Sequence, residues 1–381
     1  MNNKEFTIKK VTLSSSSVNI AWEDNQISHF HFLWLRDNCP SNEHPDARQK
    51  IFNIINVSEN IHPKKYFVND IGNLEIIWSE GNHHSCYDAK WLKKHCYTIK
   101  NQQIYKSPYK FWESKFHKHL SKIKIEHDDI MKSDEVLLKW LKLLIKYGFS
   151  IVKNSPIEKK SAFKILNRIS HIKETFFKTP FEVINIPKPN NAAYTSAGLF
   201  NHTDLPFFEY APGYQFLHCL INEAKGGDSS VVDGYAVADY IKKNIPNIFN
   251  QLINTPIKFK DNDYTQNKTR IIHSPVITLD ENKDYSDIRF NISTVGAFDI
   301  HPNKMKKYYS SYRKFASLVH KKKFTVNFRL QAGDILCFDN RRVLHGRTSF
   351  DANSGQRHLQ GYYMDRDEII SRLNFLKKVE V

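Results

Sequence analysis

Hydrophobic positions come in two rhythms along this chain. Up to about residue 100 they fall in short runs at 11–13, 18–22, 30–35 and 74–78, rich in Val, Ile, Phe and Trp and separated by turn-forming residues, which predicts strands. Residues 99–133 are polar and rich in Lys and His, as suits a surface connector. Ser133, Asp134 and Glu135 then cap a helix whose Leu137, Leu138, Leu141, Leu144 and Ile145 recur at helical spacing until Gly148 stops it. A strand over 149–152 and a second helix over 160–172 follow. Beyond residue 180 the texture returns to short strands, at 214–220, 229–232, 325–328, 335–338 and 358–364, interrupted by helices over 239–244 and 304–320. The pattern predicts a mainly β protein with flanking helices, of the α+β class. Its two domains are a small β-rich one over 1–105 and a β-sandwich or barrel over 106–381.

The totals narrow what such a protein does. Of 381 residues, 40% are hydrophobic and 13% aromatic, enough for each domain to bury its own core. The formal charge of +16 invites a nucleic-acid reading, but the lysines are scattered, with Lys321, Lys322 and Lys323 forming the longest run. No specific nucleic-acid footprint results, while the same field would draw a small anionic substrate. The five cysteines (Cys39, Cys86, Cys96, Cys219, Cys337) form no CxxC pair, which fits a reducing cytoplasm. No apolar run approaches the roughly 18 residues of a membrane span, so no membrane partner is expected.

Candidate chemistry begins at His202 and Asp204, two residues apart in an extended segment and therefore on one face of it. Two histidines and one carboxylate on a face of an octahedron are the ligand set of non-haem Fe(II) oxygenases. A tight turn at Gly333 launches a buried strand, and His345 stands just past its end, 141 residues beyond Asp204, as the third ligand. Twelve residues later Arg357 enters a strand expected to lie beside the first. An arginine there suits the far carboxylate of a dicarboxylic cosubstrate that chelates the metal at its other end. A lone HxD is a weak signal, since His44 and Asp46 have it too, and taken alone His202 reads as a surface-loop histidine and His345 as a strand-end residue. The ordered set of HxD, distant His and Arg is what points to an oxygenase. The pairs His29/His31 and His117/His119 read as surface histidines.

Residues 190–204, 212–219, 226–229, 232–234, 339–340, 344–347 and 357–361 resemble, in order and spacing, the γ-butyrobetaine dioxygenase and trimethyllysine dioxygenase family of TauD-like Fe(II)/2-oxoglutarate oxygenases, and residues 34–40 resemble the start of that family's N-terminal domain. The resemblance implies a double-stranded β-helix (jelly-roll) catalytic domain using Fe(II), 2-oxoglutarate and O2. His202, Asp204 and His345 would hold iron, and Arg357 the cosubstrate. It also implies an aromatic cage of Phe177, Phe181, Tyr194 and Tyr363 around a trimethylammonium group, with Asn191 and Asn291 on the substrate carboxylate. Phe177 and Phe181 stand where the butyrobetaine enzymes carry Tyr and Trp, a weaker pair for cation–π attraction. The implied reaction hydroxylates an unactivated C–H of a small trimethylammonium carboxylate, γ-butyrobetaine to carnitine. The alternatives are trimethyllysine, another small amino acid or natural-product intermediate, and a non-catalytic jelly-roll binding protein. Family members are homodimers and carry a structural zinc in the N-terminal domain. Here Cys39 remains, Ser41 replaces a cysteine, and His44 and His83 or His84 stand near the other positions, so loss of the zinc is expected.

Overall fold

The computed structural model describes residues 3–100, 107–185, 194–264 and 266–377; Asn191 lies outside them. The chain divides into two compact units, Met1–Lys106 and Ser107–Val381.

The first unit is built on two three-stranded antiparallel sheets, Ile8–Leu13, Ser17–Trp22 and Ile27–His31 in one and Pro63–Val68, Leu74–Trp78 and His84–Tyr87 in the other. Alternation decides which side is buried. Val18, Ile20 and Trp22 from one sheet, and Leu74, Ile76 and Trp78 from the other, are fully buried in one core. Each tryptophan satisfies its indole N–H on a neighbouring strand, Trp22 on Ser28 Oγ at 2.8 Å and Trp78 on Ser85 Oγ at 2.9 Å. The run 30–35 is not a strand. The sheet ends at His31 and Phe32–Asp37 is a helix, with Phe32, Leu35 and Arg36 buried at helical spacing. A short continuous apolar run carries no period of its own, so helix and strand are alike in it.

The second unit is a double-stranded β-helix. Its six-stranded sheet runs Lys124–Glu126, Phe149–Lys153, Ile335–Asp339, Tyr214–Asn222, Arg357–Met364 and Phe181–Ile184 in spatial order, and its four-stranded sheet Leu199–His202, Val343–Arg347, Ser229–Asp233 and Thr325–Phe328. Helix Asp134–Tyr147 covers the larger sheet with fully buried Leu137, Trp140, Leu141 and Leu144. The Ser133 hydroxyl caps its start and Gly148, at φ +76°, ends it. Helix Pro302–Val319 packs Tyr308, Phe315 and Val319 into the core that also takes Val232 and Leu344 of the smaller sheet.

Three further expectations need correction. The stretch 107–133 is folded, not a surface connector: it holds a 3-10 helix, Ser114–Ile123, and a helix, His127–Lys132, while Trp112 is buried with its indole N–H on the Tyr147 carbonyl at 2.7 Å. The helix foreseen over 160–172 is only Ala162–Leu166. The helix foreseen over 239–244 begins at Gly234, capped by Asp233, and a further helix, Pro246–Asn254, and a hairpin, Ile257–Asp263 with Lys268–Ser274, follow it.

Candidate active site

His202 ends the strand Leu199–His202, and in the antiparallel register its direct partner is His345 on Val343–Arg347. His345 therefore lies within a strand, not past the end of one. Their rings approach to 4.4 Å between centroids. This closeness requires Gly346. A Cβ there would stand 2.6 Å from the Leu199 carbonyl and 2.8 Å from Asn201 Oδ1, so only a glycine lets the edge strand come this near.

After His202 the chain turns, with Leu205 at φ +53°, and Asn340 clamps the turn. The side chain of this fully buried residue accepts the Asp204 N–H at 2.7 Å and donates to the carbonyls of Asp204 and Pro212 at 3.0 Å. Asp204 Oδ1 ends 3.2 Å from His202 Nε2 and 3.8 Å from His345 Nε2. One ligand atom from each of the three residues lies within 4.8 Å of the others, the only such group of metal-ligating residues among those described.

The donor set fits a divalent transition metal. His202 Nδ1 sits 2.7 Å from the Phe200 carbonyl, to which its proton goes, leaving Nε2 as the ligand atom. Burial and the positive field of His202 push the His345 imidazole down to about 3, so it is neutral and able to ligate. Burial by itself would raise the Asp204 carboxyl, but the imidazoles of His345 and His202 and the Tyr363 hydroxyl outweigh it and hold it well below the usual carboxylate range. Burial would likewise lower His202, but its hydrogen bond to Asp204 raises it.

A cavity of about 370 Å³ opens onto His202 and Asp204. Phe177, Phe181, Tyr194, Asn291 and Tyr363 all line it. The aromatic rings form a continuous wall, with Phe176 4.2 Å from Phe177, Phe177 6.1 Å from Phe181, and Phe181 stacked on Tyr363 at 5.0 Å. The wall ends on the cluster of His202, Asp204 and His345, because Tyr363 Oη donates to Asp204 Oδ2 at 2.7 Å. At its other end the Arg270 guanidinium lies 4.2 Å over the Phe176 ring and pairs with Asp261, another cavity residue, at 2.9 Å.

Arg357 begins the strand Arg357–Met364, which lies not beside Ile335–Asp339 but beyond Tyr214–Asn222, which separates the two. In register, Gly361 faces Phe181 and Leu359 faces Val183. Arg357 therefore shares the inward face of Leu359, Gly361 and Tyr363, although it is not part of the cavity wall. No carboxylate of the described residues pairs with it, its Nε is buried without a hydrogen-bond partner, and its guanidinium stands 5.6 Å from the Phe350 ring. Burial lowers its pKa. A part-buried guanidinium without an internal carboxylate partner is able to bind an external anion. Arg347 flanks the same Phe350 ring at 5.0 Å and donates to the carbonyls of Thr195 and Ala197.

The sequence profile of the taurine catabolism dioxygenase TauD, TfdA family matches residues 113–363. The chain belongs to that family. A γ-butyrobetaine hydroxylase-like N-terminal profile matches residues 9–139. The chain is 36% identical to the γ-butyrobetaine dioxygenase of Pseudomonas sp. (strain AK-1) over 96% of its own length and 94% of the relative's. It is 32% identical to the γ-butyrobetaine dioxygenase of Homo sapiens, over 94% of each chain, and 26% identical to the trimethyllysine dioxygenase of Meyerozyma guilliermondii, over 99% and 97%.

In this TauD, TfdA family chain, sequence reasoning assigned no role to Asn340, Arg347 or Asp261, or to the Tyr363 hydroxyl. The contacts of Asn340, Arg347 and the Tyr363 hydroxyl reach neighbours far away in sequence, while Asp261 meets Arg270 across the hairpin Ile257–Asp263 with Lys268–Ser274. In the first unit, Cys39 Sγ lies 3.1 Å from Ser41 Oγ and 3.4 Å from His83 Nε2, while His44 Nδ1 accepts the N–H groups of Asp46 and Ala47 and His84 pairs with Glu75.

Tyr363→Phe keeps the ring of the wall and removes only the donor to Asp204. Fe(II) affinity is expected to fall by about 10–100-fold, measured by anaerobic Fe(II) titration. An unchanged affinity would show that the hydroxyl does not orient the carboxylate.

Proposed function

We propose that this chain is an Fe(II)- and 2-oxoglutarate-dependent hydroxylase that converts γ-butyrobetaine to carnitine. The observation that carries the reading is a cavity walled by aromatic rings and ending on the cluster of His202, Asp204 and His345. Full-length similarity to γ-butyrobetaine dioxygenases supports it.

His202, Asp204 and His345 would hold Fe(II), which when bound would supply the O2-dependent oxidation that couples decarboxylation of 2-oxoglutarate to hydroxylation of a C–H bond. The chain's own residues bind and orient. Arg357 holds the far carboxylate of 2-oxoglutarate through charge-assisted hydrogen bonds. The rings of Phe177, Phe181, Tyr194 and Tyr363 take the trimethylammonium group, which has no N–H to donate and is held by cation–π attraction and burial. Asn291, with Asn191, receives the substrate carboxylate. The apolar wall keeps water from the reacting carbon.

Trimethyllysine is the second reading, supported by the similarity to trimethyllysine dioxygenases. Measuring succinate formed from 2-oxoglutarate with each compound separates the two, and no stimulation by either sinks both. Arg357→Met is expected to raise the KM for 2-oxoglutarate by about 10²-fold, the worth of two hydrogen bonds to a charged group, with Fe(II) affinity unchanged. The unpaired cysteines support a cytoplasmic setting. No described helix is long and apolar enough to cross a membrane. The homodimer that the resemblance implies is checked by sedimentation.

A further inference from the structure

Gly361 sits in the middle of the strand Arg357–Met364, paired with Leu217 on one side and Phe181 on the other. A glycine there has a cost. It weakens a strand interior by its extra conformational freedom and leaves nothing to pack, and Gly361 does not have the positive φ that would demand it. What demands it is a neighbour. A Cβ at 361 would lie 1.9 Å from Cζ, 2.2 Å from Cε2 and 2.4 Å from Cε1 of Phe181. The outer half of that ring thus lies flat across the bare backbone of its cross-strand partner. From this position it stacks on Tyr363 at 5.0 Å with 24° between the planes, one hydrogen bond from Asp204. Phe181 is laid against the sheet as part of the cavity wall instead of projecting into the cavity.

We infer that Gly361 is a specificity-determining residue, which sets the size of the seat for the substrate's ammonium group by letting the Phe181 ring recede. The inference rests on the reading that the aromatic wall takes a quaternary ammonium. A methyl group at 361 points off the inward face of the sheet, straight at the ring. To regain an ordinary carbon–carbon contact of about 3.5 Å the ring must move by about 1.6 Å. The sheet blocks retreat, so the ring moves into the cavity or slides off Tyr363, and either movement removes space and ring face that a third N-methyl group would use.

The test compares wild type, Gly361→Ala, Phe181→Leu and the double variant, using γ-butyrobetaine, trimethyllysine and the dimethylamino analogue of whichever is turned over. Gly361→Ala is expected to lower kcat/KM for the trimethylammonium substrate at least tenfold, through KM. It is expected to lower kcat/KM for the dimethylamino analogue less than threefold, and to leave the KM for 2-oxoglutarate and the Fe(II) affinity unchanged. In the Phe181→Leu background, which lacks the outer ring carbons, Gly361→Ala is expected to change neither ratio. Equal losses for both amines, or an undiminished effect in the Phe181→Leu background, would overturn the inference. Should Gly361→Ala be insoluble, restored solubility in the double variant upholds the ring contact and continued insolubility overturns it. If wild type turns over neither betaine, the proposed function fails. A crystal structure of Gly361→Ala then decides separately, a displaced Phe181 ring upholding its placement by Gly361 and an unmoved ring overturning it.

Discussion

Replacing His345 by alanine is expected to abolish specific Fe(II) binding and to lower 2-oxoglutarate turnover by more than about 10³-fold, equivalent to about 4 kcal/mol of transition-state stabilisation. His345 is buried, and its imidazole is pushed down to about 3, so at neutral pH it is an uncharged donor. It stands in register opposite His202, on a strand held between Leu199–His202 and Ser229–Asp233. With alanine there, the remaining pair offers two ligands, and no other His, Cys, Asp or Glu among the described residues is placed to complete the group. The strand itself should survive, because its backbone pairing with Ser229–Asp233 spans all five residues. Anaerobic Fe(II) titration and succinate release measure the effect, with circular dichroism confirming the fold. Retained turnover would remove His345 from the chemistry and the oxygenase reading with it.

The second large effect is on stability. Asp233→Asn is expected to destabilise the second unit by about 3–5 kcal/mol, because it breaks one half of a buried ion pair and leaves the other charge uncompensated. Asp233 and Arg342 are both fully buried, with Arg342 Nη2 2.8 Å from Asp233 Oδ2 and Nε 3.1 Å from Oδ1. Arg342 also donates to the carbonyls of Lys110, Ile145 and Lys146, while Asp233 accepts the N–H groups of Trp112 and Tyr235. The pair ties the strand before one helix, the end of another and the turn leading into the strand of His345 to one point. A fall in Tm of roughly 10 °C is expected for a unit of this size. A shift under about 2 °C would show that the asparagine keeps enough hydrogen bonds to stand in for the charge. Asp233→Leu with Arg342→Met, which removes both charges, should recover most of the loss.

The distribution of right and wrong expectations has a physical pattern. The helix over 134–147 and the strands near 149, 214, 229, 325, 335 and 358 were legible because each carries its period or its turn signals locally. The run 30–35 misled because Phe32 and Leu35 are buried on a helix by partners elsewhere in the first unit. The stretch 107–133 looked solvated because Trp112, Leu120 and Ile123 are a small apolar minority whose burial depends on Tyr147, Phe149 and Val326. At the site, His202, Asp204 and His345 were legible from side-chain chemistry, whereas the place of Arg357 was misjudged by one strand, since Tyr214–Asn222 lies between it and Ile335–Asp339.

The sequence by itself determined the inventory: side chains of the type that can hold a divalent metal, an arginine of the type that can bind a carboxylate, and aromatic rings of the type that can face an ammonium group. These are properties of residue type and short spacing. Only the tertiary structure decided that His202 meets His345 in register, that Asn340 and Tyr363 fix Asp204 from two sides, and that Phe181 lies flat on Gly361. Those distances are set by the pairing of strands more than a hundred residues apart, which depends on how the whole core packs and has no local period to announce it.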